Sequence, residues 1–194
     1  EPFVGRWRVH PIGLLPDKIR ETETPYRTLE KEEIREMLPE RTRFSHKGTY
    51  GHALIISGSY GMMGAALLAG ESCLRAGTGL VTLHIPRYGY NIVQTGFKEG
   101  LVSIDPSDTL FSEPPELDRY SAIGVGPGIG RKKDTEEALK KLLEQAGDIP
   151  LVIDADGLNI LSAHPEWHEL IPEGSVLTPH PREFDRLAGE SKDS

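Results

Sequence analysis

From Ala53 onward the sequence alternates short apolar runs of β-forming residues with helical patterns, and Gly- or Pro-rich turns join them. This alternation predicts βαβ units, in which successive strands are parallel and the crossovers are right-handed. Strands are predicted at 53–56, 80–85, 101–104, 122–125, 150–154 and 175–178. Helices are predicted at 64–76, from 134 to a stop at Gly147, from 157, at 166–170 and from 182. The fold class is therefore α/β, with a mostly parallel sheet and helices on both faces.

The helix after residue 133 has the clearest signals. Asp134-Thr-Glu-Glu137 has the form of a capping box, in which the Asp134 side chain would accept the N3 amide. An apolar stripe at helical spacing follows it, formed by Ala138, Leu139, Leu142 and Leu143. These signals predict a helix that buries one face against the sheet.

Charge and composition exclude several classes of protein. The 194 residues contain 22 Lys and Arg against 30 Asp and Glu, a net charge of −8 that disfavours a nucleic-acid surface. No apolar run approaches the roughly 20 residues that span a bilayer, so no membrane association is expected. The single cysteine, Cys73, cannot form an intramolecular disulfide and lies in a helix of small residues. We expect a cytoplasmic protein in which Cys73 has a packing role.

Two glycine-rich segments follow predicted strands. The first is Ser57-Gly-Ser-Tyr-Gly-Met-Met-Gly64-Ala65-Ala66, and the second is Gly124-Val-Gly-Pro-Gly-Ile-Gly130. Glycines let backbone amides approach a ligand closely, and a helix N-terminus favours an anion. Neither segment fits the Walker pattern or the G-x-G-x-x-G fingerprint. Each is therefore either a ligand-binding loop or a tight turn that lets a helix pack on the sheet.

Polar side chains follow the last two predicted strands. Asp154 and Asp156 would share one side if the strand continued, and carboxylates there can bind Mg²⁺ or substrate. The alternative is that Asp156 or Asn159 caps the next helix. His180 and Glu183, three residues apart after a Pro-stiffened loop, could both face one cleft, or His180 could be an ordinary surface residue.

Taken together, six ordered segments resemble the ADP/ATP-dependent NAD(P)H-hydrate dehydratase family, and the resemblance runs from about Ser45 to Leu187. The segments are Lys47-Gly-Thr-Tyr-Gly51, Gly58-Ser59 with Gly64-Ala65-Ala66, Ala76-Gly-Thr-Gly79, Gly124 to Gly130, Asp154-Ala-Asp-Gly-Leu-Asn159 and Thr178-Pro-His-Pro-Arg-Glu-Phe184. Their order and approximate spacing agree as well. The family resemblance implies a three-layer, ribokinase-like α/β fold.

The resemblance also implies an activity and a set of site residues. The family dehydrates NADHX and NADPHX, the hydrated nicotinamide cofactors, with ADP or ATP and Mg²⁺. Residues implied to contact the hydrated dinucleotide or line its cleft are Ala65, Gly126, Gly128, Asp154, Asp156, Asn159 and His180. Glu183 resembles the acidic member of the ribokinase-like Asn-x-x-Glu element that organises Mg²⁺, with His180 in place of Asn. A homo-oligomer is expected.

Both ends of the sequence fit a piece of a longer enzyme. The family has a later Gly-Thr-Gly-Asp element with the catalytic base, and this sequence reaches Ser194 without one. We therefore expect a C-terminally truncated domain, little activity from this piece alone, and a catalytic Asp beyond Ser194.

The first residues look different from the rest. Residues 1–20, with a strand-like segment at 7–12, resemble the end of the NAD(P)H-hydrate epimerase domain that precedes the dehydratase in bifunctional members. Residues 21–44 would form a linker with a helix at about 28–37, and residues 45–194 a partial dehydratase domain. Two other functions stay open: a sugar or vitamin kinase of the same superfamily, and a non-catalytic nucleotide-binding module.

Overall fold

The computed structural model of the chain describes residues 8, 10, 12–25, 29–38 and 40–189. Contacts divide the chain into two units, Glu1–Arg43 and Phe44–Ser194. The described part of the first unit contains helices α1 (Pro16–Glu21) and α2 (Lys31–Met37). Helix α2 confirms the helix expected before residue 38. The strand expected at 7–12 falls partly outside the described residues, and residues 8, 10 and 12 have no regular structure.

The described part of the second unit contains six strands. They are β1 (His52–Ile56), β2 (Leu80–Pro86), β3 (Leu101–Asp105), β4 (Ala122–Val125), β5 (Leu151–Ile153) and β6 (Val176–Leu177). They form one sheet in the order β3-β2-β1-β4-β5-β6, and every neighbouring pair is parallel. The predicted strands are confirmed, with ends that differ by one or two residues.

Five α-helices connect or follow these strands in the described residues. They are α3 (Met63–Arg75), α4 (Tyr90–Gly96), α5 (Lys133–Gln145), α6 (Asp156–Ala163) and α7 (Pro181–Ala188). Short 3-10 helices occur at Lys47–Tyr50, Arg87–Gly89 and Pro165–Leu170. Within the described residues, no helix combines the length and apolarity that a bilayer span requires.

Helices pack on both faces of the sheet, because alternate side chains of each strand point to opposite sides. Cover is incomplete over β5 and β6, where Val152, Val176 and Leu177 are exposed. On one face, the buried residues of β1, β4 and β5 pack with α5 and α6 around Leu54, Ile123, Leu139 and Leu158. On the other face, β2 packs with α3 and α4 around Leu83, Ala66, Val93 and Phe97. The three-layer arrangement expected from the sequence is confirmed.

Helix α5 begins differently from the prediction. Its N-cap is Lys132, which makes no side-chain capping bond, so the capping box predicted at Asp134 is wrong. Asp134 lies in the first helical turn instead, where its charge interacts favourably with the helix dipole. The apolar stripe is confirmed, since Ala138, Leu139, Leu142 and Leu143 are all buried. Gly147, with φ of 57°, follows the last turn.

The strand order creates a crevice between β1 and β4. The chain leaves β1 toward β2 on one side and later enters β4 on the other side of β1. Connections that diverge from neighbouring parallel strands leave a gap at their carboxyl ends, which is where open α/β sheets bind ligands. Both glycine-rich segments begin at this gap, since one follows β1 and the other follows β4.

Candidate functional site

The two glycine-rich loops are bonded directly to each other. The Ser57 hydroxyl and the Gly58 amide both donate to the Pro127 carbonyl, at 2.6 and 2.9 Å. The Ser59 hydroxyl donates to the Gly128 carbonyl at 2.7 Å. Because side-chain and backbone donors of one loop satisfy carbonyls of the other, the loops form one continuous wall of the crevice.

Two predicted site residues meet across this wall. Ala65 lies in the first turn of α3, and Gly128 has a positive φ of 70° in the opposite loop. A Cβ atom added at Gly128 would lie 3.0 Å from the Ala65 Cβ and 3.2 Å from the Met62 carbonyl oxygen. The lack of a side chain at Gly128 therefore lets the second loop close onto the start of α3.

Gly126 brings the loop after β5 against the same wall. Its φ of 132° is a conformation that L-residues rarely adopt, and an added Cβ would lie 1.8 Å from the Asp154 carbonyl oxygen. The Asp154 amide also donates to the Val125 carbonyl at 3.1 Å. Asp154 is thus fixed beside Gly126 through its backbone.

The two carboxylates after β5 do not share a side as a continued strand would require. The strand ends at Ile153, and Ala155 turns the chain sharply with φ of 49° and ψ of −117°. Asp156 then opens helix α6, and its Oδ2 accepts the Gly130 amide at 2.9 Å. Asp156 therefore joins the loop after β5, the third loop of this region, to the second glycine-rich loop.

Asn159, one turn further along α6, links this region to α7. Its side-chain amide donates to the Ala155 carbonyl at 3.0 Å, which supports the sharp turn at that residue. Its Oδ1 accepts a hydrogen bond from the guanidinium of Arg186 on α7. The helix-capping interpretation is not what the structure shows, since Ala155 is the N-cap residue of α6.

His180 and Glu183 contact each other at the start of α7. The His180 Nδ1 accepts the Arg182 amide at 3.2 Å, and the Glu183 carboxylate accepts the His180 amide at 3.0 Å. The imidazole Nε2 lies 3.3 Å from the other Glu183 oxygen. This reciprocal cap explains the three-residue spacing. The His180 side chain is still 57% exposed, while that of Glu183 is 9% exposed.

Glu183 offers a metal ion only one carboxylate group. No group of three or more His, Cys, Asp or Glu side chains that could hold a metal occurs among the described residues. One carboxylate that also caps a helix fits Mg²⁺ only where substrate phosphates and water supply most of the oxygen ligands, which is how proteins commonly bind this ion.

Two cavities adjoin the loops. One of about 470 Å³ has a floor of Ile55, Gly124 and Val152, and Asp154 and Thr178 line it as well. The other, of about 220 Å³, lies between the glycine-rich loops and the segment after β3. Its walls include Ser59, Tyr60, Thr109, Gly130 and Lys132. An apolar cavity beside a few convergent polar groups is typical of small-molecule sites.

Two of the sequence motifs lie at the other end of the sheet. Lys47–Tyr50 precedes β1, and the Gly79 amide just before β2 donates to the Tyr50 carbonyl at 3.0 Å. A Cβ at Gly79 would lie 1.6 Å from the Lys47 carbonyl oxygen. These motifs therefore pack against each other at the amino ends of the strands, opposite the glycine-rich loops.

Some residues of the site were not predicted from the sequence. The Tyr60 amide in the first loop donates to the Thr109 carbonyl at 2.8 Å, in a segment whose sequence gave no recognisable pattern. Asp105, which ends β3, organises that segment. Its position at the carboxyl end of a strand was the available signal, because the same rule drew attention to Asp154.

Comparison with known proteins agrees with this geometry. A family model described as NAD(P)H-hydrate dehydratase matches residues 53–194. A ribokinase-like superfamily protein from Enterococcus faecalis has a crystal structure that superposes with a TM-score of 0.73 at 26% identity, covering 86% of this chain and 60% of that one. The fold and the loops thus define a ribokinase-like α/β protein. More particularly, the chain belongs to the NAD(P)H-hydrate dehydratase family, as the six motifs indicated.

Individual relatives extend well beyond this chain. A bifunctional NAD(P)H-hydrate repair enzyme from Coxiella burnetii is 37% identical over 196 residues, which cover 97% of this chain and 37% of the relative. An ADP-dependent (S)-NAD(P)H-hydrate dehydratase from Bacillus subtilis is 35% identical over 167 residues, 82% of this chain and 55% of the relative. A Bacillus subtilis dehydratase co-crystallised with ATP and Mg²⁺ superposes with a TM-score of 0.65 at 32% identity, covering 81% of this chain and 54% of that one.

Proposed function

We propose that the protein containing this chain converts NADHX or NADPHX back to NADH or NADPH, with ADP or ATP as co-substrate. The observation that carries the proposal is the joining of three loops at the β1–β4 crevice through Pro127, Gly128 and Asp156. Those loops contain the motifs that the dehydratase family shares, and the family match covers all three.

The chemistry explains the need for a nucleotide. Hydroxide is a poor leaving group, so direct loss of water from the hydrated nicotinamide ring is slow. Transfer of a phosphoryl group to the ring hydroxyl, followed by loss of phosphate and of a proton from the adjacent carbon, restores the double bond. Catalysis of this kind depends chiefly on positioning and on stabilising phosphate charge.

We propose separate roles for the residues that contact each other around the crevice. We assign Ala65, Gly126 and Gly128 to the wall that faces the hydrated dinucleotide, where amides rather than cations meet its phosphates. Asp156 and Asn159 hold the neighbouring loop and α7 in register with that wall. The exposed His180 imidazole supplies a polar contact to the same ligand.

Nucleotide and metal belong to the same proposal. Glu183 would be the protein ligand to Mg²⁺, which when bound neutralises charge on the nucleotide phosphates. The relative from Bacillus subtilis that was co-crystallised with ATP and Mg²⁺ supports the pairing of a nucleotide with this metal ion. We assign the catalytic Asp to a part of the protein beyond Ser194.

The domain boundaries predicted from the sequence are proposed as well. Residues 1–20 would end an upstream epimerase domain, 21–44 would form a linker and its helix, and 45–194 would belong to the dehydratase domain. The division of the chain between Arg43 and Phe44 supports the second boundary, and the bifunctional relative supports the first. We further propose that the protein is cytoplasmic and forms a homo-oligomer. Light scattering of the purified protein tests the oligomeric state.

The test uses the complete protein with NADHX, Mg²⁺ and either ADP or ATP, and follows loss of NADHX by its ultraviolet absorbance. The informative variant is His180→Asn, because asparagine is also a good N-cap and α7 should persist. We expect KM for NADHX to rise about tenfold, as loss of one hydrogen bond to an ionic ligand predicts. The matched control is His46→Asn, which alters the N-cap of the 3-10 helix at the opposite end of the sheet.

The outcomes separate the functions that the sequence left open. NADHX turnover with the effect confined to His180→Asn supports the dehydratase. Phosphorylation of a pyridoxine-like or thiazole alcohol without consumption of NADHX would establish a kinase and refute the proposal. Nucleotide binding with neither reaction would leave only the non-catalytic module.

A further inference from the structure

Asp105 is a fully buried carboxylate at the carboxyl end of β3. Its Oδ1 accepts the Ser107 amide at 2.8 Å and the Ser112 hydroxyl. Its Oδ2 accepts the Ser112 and Glu113 amides at 2.8 and 3.1 Å. Donors from both ends of the segment 106–113 therefore converge on one side chain, which closes this segment into a loop around the carboxylate.

His84, which lies on the neighbouring strand β2 in register with Ser103, completes the set of donors. Its Nε2 lies 3.1 Å from the Asp105 Oδ2 and 2.9 Å from the Glu113 carbonyl oxygen. Its Nδ1 lies 2.9 Å from the Ser103 hydroxyl, and the ring edge faces Phe111 at a centroid distance of 5.9 Å. The imidazole, 3% exposed, thus ties the loop to two strands.

The pKa of Asp105 shows which form of the carboxyl the site favours. Burial acts to raise this pKa, but the hydrogen bonds from His84, Ser112 and Ser107 outweigh burial and hold it below the ordinary value. The carboxylate is therefore ionised at neutral pH. A buried charge is tolerated only when it is fully hydrogen-bonded, so the loop and the charge depend on each other.

The loop closed by Asp105 in turn holds two other loops through consecutive carbonyl groups. The Ser107 and Asp108 carbonyls accept the Arg87 and Tyr88 amides, each at 3.0 Å, from the segment after β2. The Thr109 carbonyl accepts the Tyr60 amide at 2.8 Å, from the first glycine-rich loop. The Tyr60 and Tyr88 rings also pack together, with centroids 4.6 Å apart.

We propose that Asp105 is a positioning residue of the dinucleotide site: its carboxylate fixes the segment 106–113, which fixes the first glycine-rich loop at Tyr60. The small cavity between the glycine-rich loops has walls from both segments, at Ser59, Tyr60 and Thr109. Asp105 itself is fully buried, so it would act through these segments and not through contact with a ligand. The identity of the ligand rests on the proposed function, whereas the fixing of the two segments by Asp105 does not.

The test is Asp105→Asn in the complete protein. The asparagine side chain has the same shape and volume as aspartate, but it replaces one carboxylate oxygen with an NH₂ group. The backbone amides that donate to that oxygen would then lose their acceptor. The matched control is Asp108→Asn in the segment 106–113, where the carboxylate is 78% exposed and lies 3.5 Å from the Arg87 guanidinium. Each variant removes one negative charge.

Two measurements report positioning rather than general stability. Amide hydrogen exchange followed by mass spectrometry should accelerate about tenfold at 106–113 and at 57–62 in Asp105→Asn, while exchange in α5 is unchanged. The KM for NADHX should rise about tenfold with kcat within about twofold, because a displaced binding loop weakens binding before it affects the chemical step. Asp108→Asn should resemble the parent protein in both measurements.

Other outcomes decide against the inference or isolate the cause. Faster exchange at 106–113 with unchanged exchange at 57–62 and unchanged KM would overturn it, because Asp105 would then serve only its own loop. If Asp105→Asn fails to fold, Ser112→Ala removes only the hydroxyl donor and must show the same two effects at smaller size. A parent protein that does not consume NADHX refutes the proposed function, and the exchange measurement still tests Asp105.

Discussion

Replacing Gly126 by alanine adds a methyl group where the loop after β5 crosses the second glycine-rich loop. The new Cβ would lie 1.8 Å from the Asp154 carbonyl oxygen and 3.1 Å from the Gly157 amide nitrogen. Both neighbours are backbone atoms, so no side-chain rotation relieves the overlap. The φ of 132° at this residue is a second obstacle, because L-residues rarely adopt it.

These two obstacles set the size of the effect. An unfavourable backbone conformation costs about 1–3 kcal/mol, and forcing atoms into a packed region costs about as much again. We therefore expect Gly126→Ala to lower the free energy of unfolding by about 4 kcal/mol. The matched control is Gly130→Ala in the same loop, where φ is 77° and no atom lies within 4 Å of the added Cβ. That change should cost about 1 kcal/mol, from backbone conformation alone.

The assay is urea-induced unfolding of the protein followed by circular dichroism, with both variants compared with the parent at the same pH and salt concentration. Linear extrapolation gives the free energy of unfolding for each, provided the transition is two-state. The reasoning is refuted if Gly126→Ala costs no more than Gly130→Ala, since the loops would then not approach at Gly126 as described.

Two further predictions concern the pH dependence and the core. Burial, with a smaller effect from Arg119, lowers the pKa of His52, so the unfolded chain binds the proton more readily. Stability should therefore fall as pH drops below about 6.5, and His52→Gln should flatten this part of a urea-unfolding series from pH 5 to 7.5; an unchanged slope would contradict the shift. Leu139→Ala should cost about 3 kcal/mol, because the side chain is fully buried. Leu68→Ala, at a residue 69% exposed, should cost under about 0.5 kcal/mol in the same denaturation assay, and equal costs would contradict the core assignment.

The elements of the fold could be predicted because their signals are local. The apolar run at 53–56 reflects a strand that is buried on both faces, and the stripe at Leu139 and Leu142 reflects a helix that buries one face. The incorrect prediction at Asp134 has a local cause too: a capping box was inferred from residue types, but the N-cap of α5 lies two residues earlier, at Lys132. Side-chain type predicts a cap only when the backbone turns at that residue.

The sequence predicted which motifs form the candidate site, but not how their residues contact each other. His180 and Glu183 were recognised from their spacing, yet the structure shows them satisfying each other as a reciprocal cap. Asp154 and Asp156 were recognised as acids after a strand, but the turn at Ala155 sends Asp156 to the Gly130 amide. Their roles toward a ligand stay predictions, and the family match supports them only at the level of the motifs.

The sequence by itself determined the alternation of strands and helices, the glycine-rich segments after two of the strands, and the family to which the chain belongs. Only the tertiary structure decided that β1 and β4 are neighbours, that Gly126 lies against the Asp154 carbonyl, and that five donors converge on Asp105. The physical reason is range. Periodicity and turn chemistry act between residues close in the chain, whereas the site is made by hydrogen bonds and close approaches between residues such as Ser57 and Pro127, which are 70 positions apart.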